Sequence, residues 1–392
     1  MNTYEQELSN ILKYWTTVAF DPERDRFYGR VDEYDQPDTT APLGSVMYSR
    51  ILWAYSAAYL HNPSPTYYVM AKKALTYLTT ALWDNTYGGV YWSVTANDKP
   101  LEDKKQTYAL AFAIYGLSEY YRVVADENVL ARAKELYELI ELHNYDCVNG
   151  GYLESFNRDW SVAADLRLSA KDANEKKTMN THLHVMEAYV NLYQVWPDPT
   201  LATRIAELIN LFATAILNPK DNHLTLFFNE IWEAKSAIVS YGHDIEASWL
   251  LCEAANVLQD PALIKLTTTV ATKLIESSLE GLNHSGALDY EFEISLQKRN
   301  TEKHWWVQAE AAVGLLNAWQ ITGNPRYYEL FEKSWRFISE NLIDNVNGEW
   351  FWGLNSDGSK MAGQDKAGIW KCPYHNTRCL LEISKRLPSD NN

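Results

Sequence analysis

The 392-residue sequence predicts an all-α fold: six helix pairs closed into an (α/α)6 barrel, with short β-hairpin excursions at one end. A turn motif repeats six times, and between its copies apolar helical stretches alternate with charged amphipathic ones. No Pro/Gly/Ser-rich linker interrupts the pattern, so residues 1–392 read as one domain.

The turn motif is an aspartate or equivalent, a few polar residues, one or two glycines, then aromatic residues. Clear copies occupy 21–29, 84–92, 146–152 and 344–352, and degenerate ones 221–228 and 284–290. Starts at 21, 84, 146, 221, 284 and 344 give steps of 63, 62, 75, 63 and 60 residues. The stretch 48–60 is apolar on most faces, as expected of a helix surrounded by other helices. Residues 67–82 are amphipathic, with lysines on one side. The same alternation recurs at 106–123 and 128–142, 178–195 and 200–216, 244–258 and 261–278, and 305–321 and 326–342. Strict alternation, the β signal, is confined to short stretches after the glycine turns, such as 89–94. The apolar helices should form an inner ring, and a cleft at one end of the ring is the expected ligand site.

Bulk composition narrows the function. Net charge is −16, and no basic run exceeds Lys104-Lys105 or Lys176-Lys177, so nucleic acid is not an expected partner. Cys147, Cys252, Cys372 and Cys379 lack framework spacing and read as reduced thiols. No signal-peptide pattern and no membrane-length apolar run is present, so a cytoplasmic protein without membrane contact is expected. Fifteen tryptophans and 26 tyrosines exceed what a core needs, and surplus rings suit the stacking of ring-shaped ligands.

Three of the nine histidines stand in dense polar and aromatic settings: His184, His243 and His375. Imidazole can both take and give a proton near neutrality, so three brought together suit acid–base chemistry on a polar ligand. His182 and His184 are two apart, so only one can face a helix-lined cavity. His243 and Glu246 are spaced (i, i+3) on an apolar helix, which predicts a carboxylate bonded to that imidazole. His375 follows Pro373 and Tyr374 at a loop end or first helical turn. Trp305 and Trp306 open an inner helix, and Trp370 lies near His375. Arg50, inside an otherwise apolar helix, should point at a carboxylate or a polar ligand. Three histidines and a carboxylate could satisfy zinc or manganese, but no His-Glu-x-x-His or similar pattern is present, and no metal is expected.

These segments (Arg50-Ile-Leu-Trp, Asn180-Thr-His-Leu-His-x-x-Glu-Ala-Tyr, Gly242-His-Asp-x-Glu246, Trp305-Trp-Val-Gln-Ala-Glu310 and Trp370-Lys-x-Pro-Tyr-His375) resemble the signature set of cellobiose 2-epimerases. That family lies within the N-acylglucosamine 2-epimerase superfamily, and the resemblance runs from about residue 4 to about 386. It implies cofactor-free, reversible inversion at C2 of the reducing-end glucose in β-1,4-linked disaccharides such as cellobiose, lactose or mannobiose, by a monomeric enzyme. It further implies that His243 and His375 are the two C2 bases, with Glu246 activating His243 and His184 assisting ring opening. Arg50 would stabilise the O1/O2 charge, Asp172 and Asn180 would bind hydroxyls, Tyr108 would line the pocket, and Trp305, Trp306 and Trp370 would stack on sugar. Three rivals remain: a monosaccharide epimerase or mannose isomerase on the same fold, an (α/α)6 glycoside hydrolase needing two flanking carboxylates, and a non-catalytic sugar-binding barrel.

Overall fold

The computed structural model describes residues 3–387. Twelve α-helices among them form two concentric rings. The inner ring is α2 (Ser45–His61), α4 (Thr107–Val124), α6 (Met179–Val195), α8 (Tyr241–Leu258), α10 (Trp305–Thr322) and α12 (His375–Arg386). The outer ring is α3 (Pro65–Thr80), α5 (Glu127–His143), α7 (Pro199–Leu211), α9 (Pro261–Ser278), α11 (Pro325–Asn341) and α1 (Thr3–Thr17). This is the expected (α/α)6 barrel. Its sixth pair joins the two chain ends, with α1 packed outside α12.

Local sequence explains where the helices start. Four outer helices begin with a capping residue followed by proline: Ser64-Pro65, Asp198-Pro199, Asp260-Pro261 and Asn324-Pro325. The Asp198 and Asp260 side chains accept from the first free amides, and proline at the next position has no amide to leave unpaired. Inner helices start instead where a short antiparallel ladder ends. Gly44 pairs with Ser93, Gln106 with Ser155, Thr178 with Phe227, Ser240 with Glu291 and His304 with Gly353. Each ladder ties the entry of one inner helix to the next unit, so the inner N-termini are held at a common level. Bridging of Val31 to Ala367 closes the circle.

The six turns are hairpins built alike. In each, one side-chain oxygen accepts from the amide two residues on: Asp21, Asp84, Asp146, Asn218, Asn283 and Asp344. The fourth and fifth copies therefore begin at Asn218 and Asn283, not at Asp221 and His284, because asparagine makes the same turn. Turn aspartates also pair with buried lysines of the following ladder: Asp84 with Lys105 at 2.8 Å, Asp146 with Lys177 at 2.7 Å and Asp344 with Lys366 at 2.8 Å. α7 ends at Leu211 and a single wider turn (Phe212–Ile216) completes the expected stretch. Among the described residues no helix is long and apolar enough to cross a membrane. All four cysteines are unpaired.

Candidate active site

Because the ladders level the inner helices, their N-terminal ends converge on one mouth of the barrel. Arg50 comes from α2, Tyr108 from α4, Asn180 and His184 from α6, His243 and Glu246 from α8, Trp306 and Glu310 from α10, and His375 from α12. Six helix N-termini pointing inward favour negative charge at their meeting point.

The three imidazoles are each tethered through Nδ1. His184 Nδ1 lies 2.9 Å from Glu187 Oε2, His375 Nδ1 lies 2.7 Å from Glu310 Oε1, and His243 Nδ1 lies 2.8 Å from Ser240 Oγ. An ionised carboxylate only accepts, so Nδ1 of His184 carries a proton and its Nε2 a lone pair. No Nε2 of the three has a protein partner among the described residues. Burial lowers all three pKa values from the ordinary 6.5. His243 falls to about 3, with nearby His184 adding to the effect, and His375 is further depressed by Arg50 and Arg378. The site thus presents neutral imidazoles with free Nε2 atoms.

The expected His243–Glu246 pair is not formed. Glu246 Oε1 instead accepts from Arg378 Nη2 at 2.6 Å, and Ser240 has taken His243 Nδ1. The (i, i+3) carboxylate–imidazole pair is His184–Glu187, which has the same spacing. Arg378 organises this level: Nη2 also reaches Glu310 Oε1 at 2.6 Å, and Nη1 bonds Glu187 and the Tyr374 hydroxyl. Tyr374 donates to Glu187 at 2.6 Å. One guanidinium thus spans three buried carboxylates. Glu310 accepts from Arg378 and Trp249 Nε1 (3.0 Å) and shares a hydrogen with His375 Nδ1, whereas Glu246 Oε2 has no partner. Burial, reinforced by Glu310, pushes Glu246 up to about 8, and Glu310 is raised too. Burial and mutual repulsion thus leave a proton on the Glu246–Glu310 pair at neutral pH. Glu187, although buried, is held at about 2 by Arg378 and its hydrogen bonds.

Arg50 donates to the Tyr108 hydroxyl at 2.9 Å and lies over Phe112 at 4.2 Å. It forms no ion pair among the described residues, and its Nε is buried without a partner. Asn180 Oδ1 is likewise buried and unpartnered. Trp306 touches both His243 (4.8 Å) and His375 (5.7 Å), and Trp370 lies 6.2 Å from Tyr108. Trp305 points elsewhere: it is buried, 4.5 Å from Trp352 and under Lys371. Adjacent helical residues diverge by about 100°, so one ring of the doublet faces the mouth and the other the core. Asp172 is half-buried in the loop before α6, where it accepts from the Ser169 amide. Asn174 pins the same loop to Ala164 and Leu166. His182 bonds backbone at both nitrogens, to Thr178 and Tyr152, and is structural. Glu187, Ser240, Glu310, Tyr374 and Arg378 complete the site although sequence spacing gave them no role.

Glu246, Glu310 and His375 are close enough to hold a cation. The Arg378 guanidinium already lies against both carboxylates and balances that charge.

Gly242 is fixed by contact, because a Cβ there would meet the Trp306 ring at 2.7 Å. Gly242→Ala is expected to displace that ring and cost about 1–3 kcal/mol; denaturant unfolding with unchanged stability would contradict the close fit.

The profile of the N-acylglucosamine 2-epimerase (GlcNAc 2-epimerase) family matches residues 26–379. The chain belongs to that family. It is accordingly a carbohydrate epimerase or isomerase. A cellobiose 2-epimerase of Bacteroides fragilis is 46% identical over 97% of each chain. One from Ruminococcus albus is 36% identical over 97% of each. The solved cellobiose 2-epimerase of Bacillus thermoamylovorans superposes with a TM-score of 0.91 at 38% identity, covering 99% of this chain and 100% of that one.

Proposed function

We propose that the chain is a single catalytic domain that reversibly inverts C2 of the reducing-end glucose of β-1,4-linked disaccharides. Cellobiose becomes glucosyl-mannose and lactose becomes epilactose. The observation that carries this reading is three neutral imidazoles with free Nε2 atoms, set beside an arginine that has no carboxylate partner. The full-length cellobiose 2-epimerase relatives support the disaccharide substrate.

A C2 hydrogen is acidic only when C1 is an open-chain aldehyde, so ring opening comes first, assisted by His184. His243 Nε2 then removes the C2 proton, leaving a cis-enediolate. Arg50, oriented by Tyr108, stabilises the charge on O1 and O2, and the convergent helix N-termini add to it. His375 returns a proton to the opposite face. A neutral imidazole can donate from Nε2 if its Nδ1 is protonated in the same step. His375 does so in the tautomer whose Nε2 carries hydrogen and whose Nδ1 accepts from a protonated Glu310: Nε2 gives its proton to carbon as Nδ1 takes the one on Glu310. Delivery to C1 instead of C2 gives the ketose, a minor isomerisation. Trp306 and Trp370 stack on sugar, and Asn180 and Asp172 bind hydroxyls. No metal or other cofactor enters the scheme, and we assign the protein as a cytoplasmic monomer.

This division sets the pH dependence. The proton on the carboxyl pair is present below about 8 and is lost above it, so kcat/KM falls on the alkaline side near there. His243 is protonated only far below 6.5, so no acid limb is expected at the usual histidine value. A limb centred near 6.5 would assign the proton transfers differently.

The function is tested by incubating the protein with cellobiose, lactose, N-acetylglucosamine and mannose and separating the products. A disaccharide with a reducing-end mannose is expected. Turnover of only the monosaccharides would favour the monosaccharide branch, and release of free glucose a hydrolase.

A further inference from the structure

The barrel has a second cavity at the opposite end. It measures about 300 Å³ and is lined by the C-terminal halves of α2, α4, α6, α8 and α12. Its inner wall is the outer side of the Glu187–Arg378 layer. The reaction scheme uses none of the other lining groups.

The pairing of those groups is uneven. Glu119 is bonded by Arg122 at 3.1 Å, and Arg122 also donates to Gln194 at 2.6 Å. Glu382 accepts from Arg386 at 2.8 Å and from Lys385 at 3.3 Å. Glu253, half-buried on the cavity wall, has no hydrogen-bond or ion-pair partner among the described residues. Trp53, stacked on Tyr115 at 5.2 Å, and Trp249 supply aromatic wall. Where the inner N-termini favour an anion at one mouth, five inner C-termini converge here, and their unsatisfied carbonyls favour a cation. An unpaired carboxylate, aromatic rings and aligned helix C-termini are the elements that recognise an organic ammonium ion.

We propose that this cavity binds a small alkylammonium cation, with Glu253 as its counter-ion and Trp53 and Trp249 against its alkyl part. The site is separate from the sugar site and touches it through Glu187, Arg378 and Trp249, whose Nε1 donates to Glu310.

The probe is n-butylammonium chloride, with n-butanol as the neutral isostere and potassium chloride at matched ionic strength. For the wild-type protein a saturable rise in Tm of about 2 °C is expected with butylammonium alone. Glu253→Gln should abolish the rise while leaving turnover of cellobiose unchanged. Calorimetry on the wild type gives a second readout that needs no variant. Burial and Glu382 raise the Glu253 carboxyl to about 7, against Lys385 and Arg386, with Glu187 adding to the rise. Arg122, Arg378 and His61 also face the cavity. Affinity should therefore weaken toward tenfold per pH unit below about 7. Absence of any saturable rise, a rise equal with butanol, a rise that survives Glu253→Gln, or a pH-independent affinity would each overturn the proposal.

Discussion

His243→Ala and His375→Ala are each expected to lower kcat by about 10²–10⁴-fold, the range for losing a positioned acid–base group. Cellobiose affinity should change little, because Trp306, Trp370 and Arg50 remain. The two variants should differ in one respect. Without His243, exchange of the C2 proton of cellobiose with solvent stops. Without His375, exchange at C2 of the glucose epimer persists, since His243 can still take and return that proton. Glu310→Gln should resemble a milder His375 variant, with its alkaline limb displaced, because the proton store is altered while the imidazole stays. Equal, complete loss of exchange in both histidine variants would contradict the two-base assignment.

The second large effect concerns stability. Among the described residues, Arg378 is the only cation bonded to Glu187, Glu246 and Glu310, all fully or nearly buried. Arg378→Met fills similar volume but leaves those carboxylates uncompensated, and removing one partner of a buried ion pair costs about 3–5 kcal/mol. Arg378→Lys should recover only part, since a point charge cannot reach both sides as the fork does. Denaturant unfolding measures both. An Arg378→Met variant of wild-type stability would mean that the carboxylates take up protons without cost, and the charge account of the site would fail.

Much of the barrel was legible because its unit is repeated. The glycine turns and the alternation of apolar and charged helices give both unit length and ring assignment. Two copies were misplaced where asparagine replaced aspartate, since the turn needs only a side-chain oxygen. The sixth pair had no contiguous signature, because α12 and α1 lie at opposite ends of the chain. In the site, helical spacing put His184, His243 and Arg50 on inner helices, yet it could not choose between two identical (i, i+3) pairs. That choice is made by tertiary placement: Ser240 holds His243 Nδ1, while Arg378, from another helix, holds Glu246. The role of Glu310 was hidden for the same reason: its partner His375 is 65 positions along the chain. Such contacts follow from tertiary placement, which periodicity does not encode.

The central claim is that a C2 proton is removed by one face of the site and replaced by the other. Proton NMR of lactose incubated with the protein in deuterated water tests it most directly. The account predicts a 4-linked mannose reducing end carrying deuterium at C2. Epilactose formed with its C2 hydrogen retained from lactose, or lactose left intact and unlabelled, would contradict it.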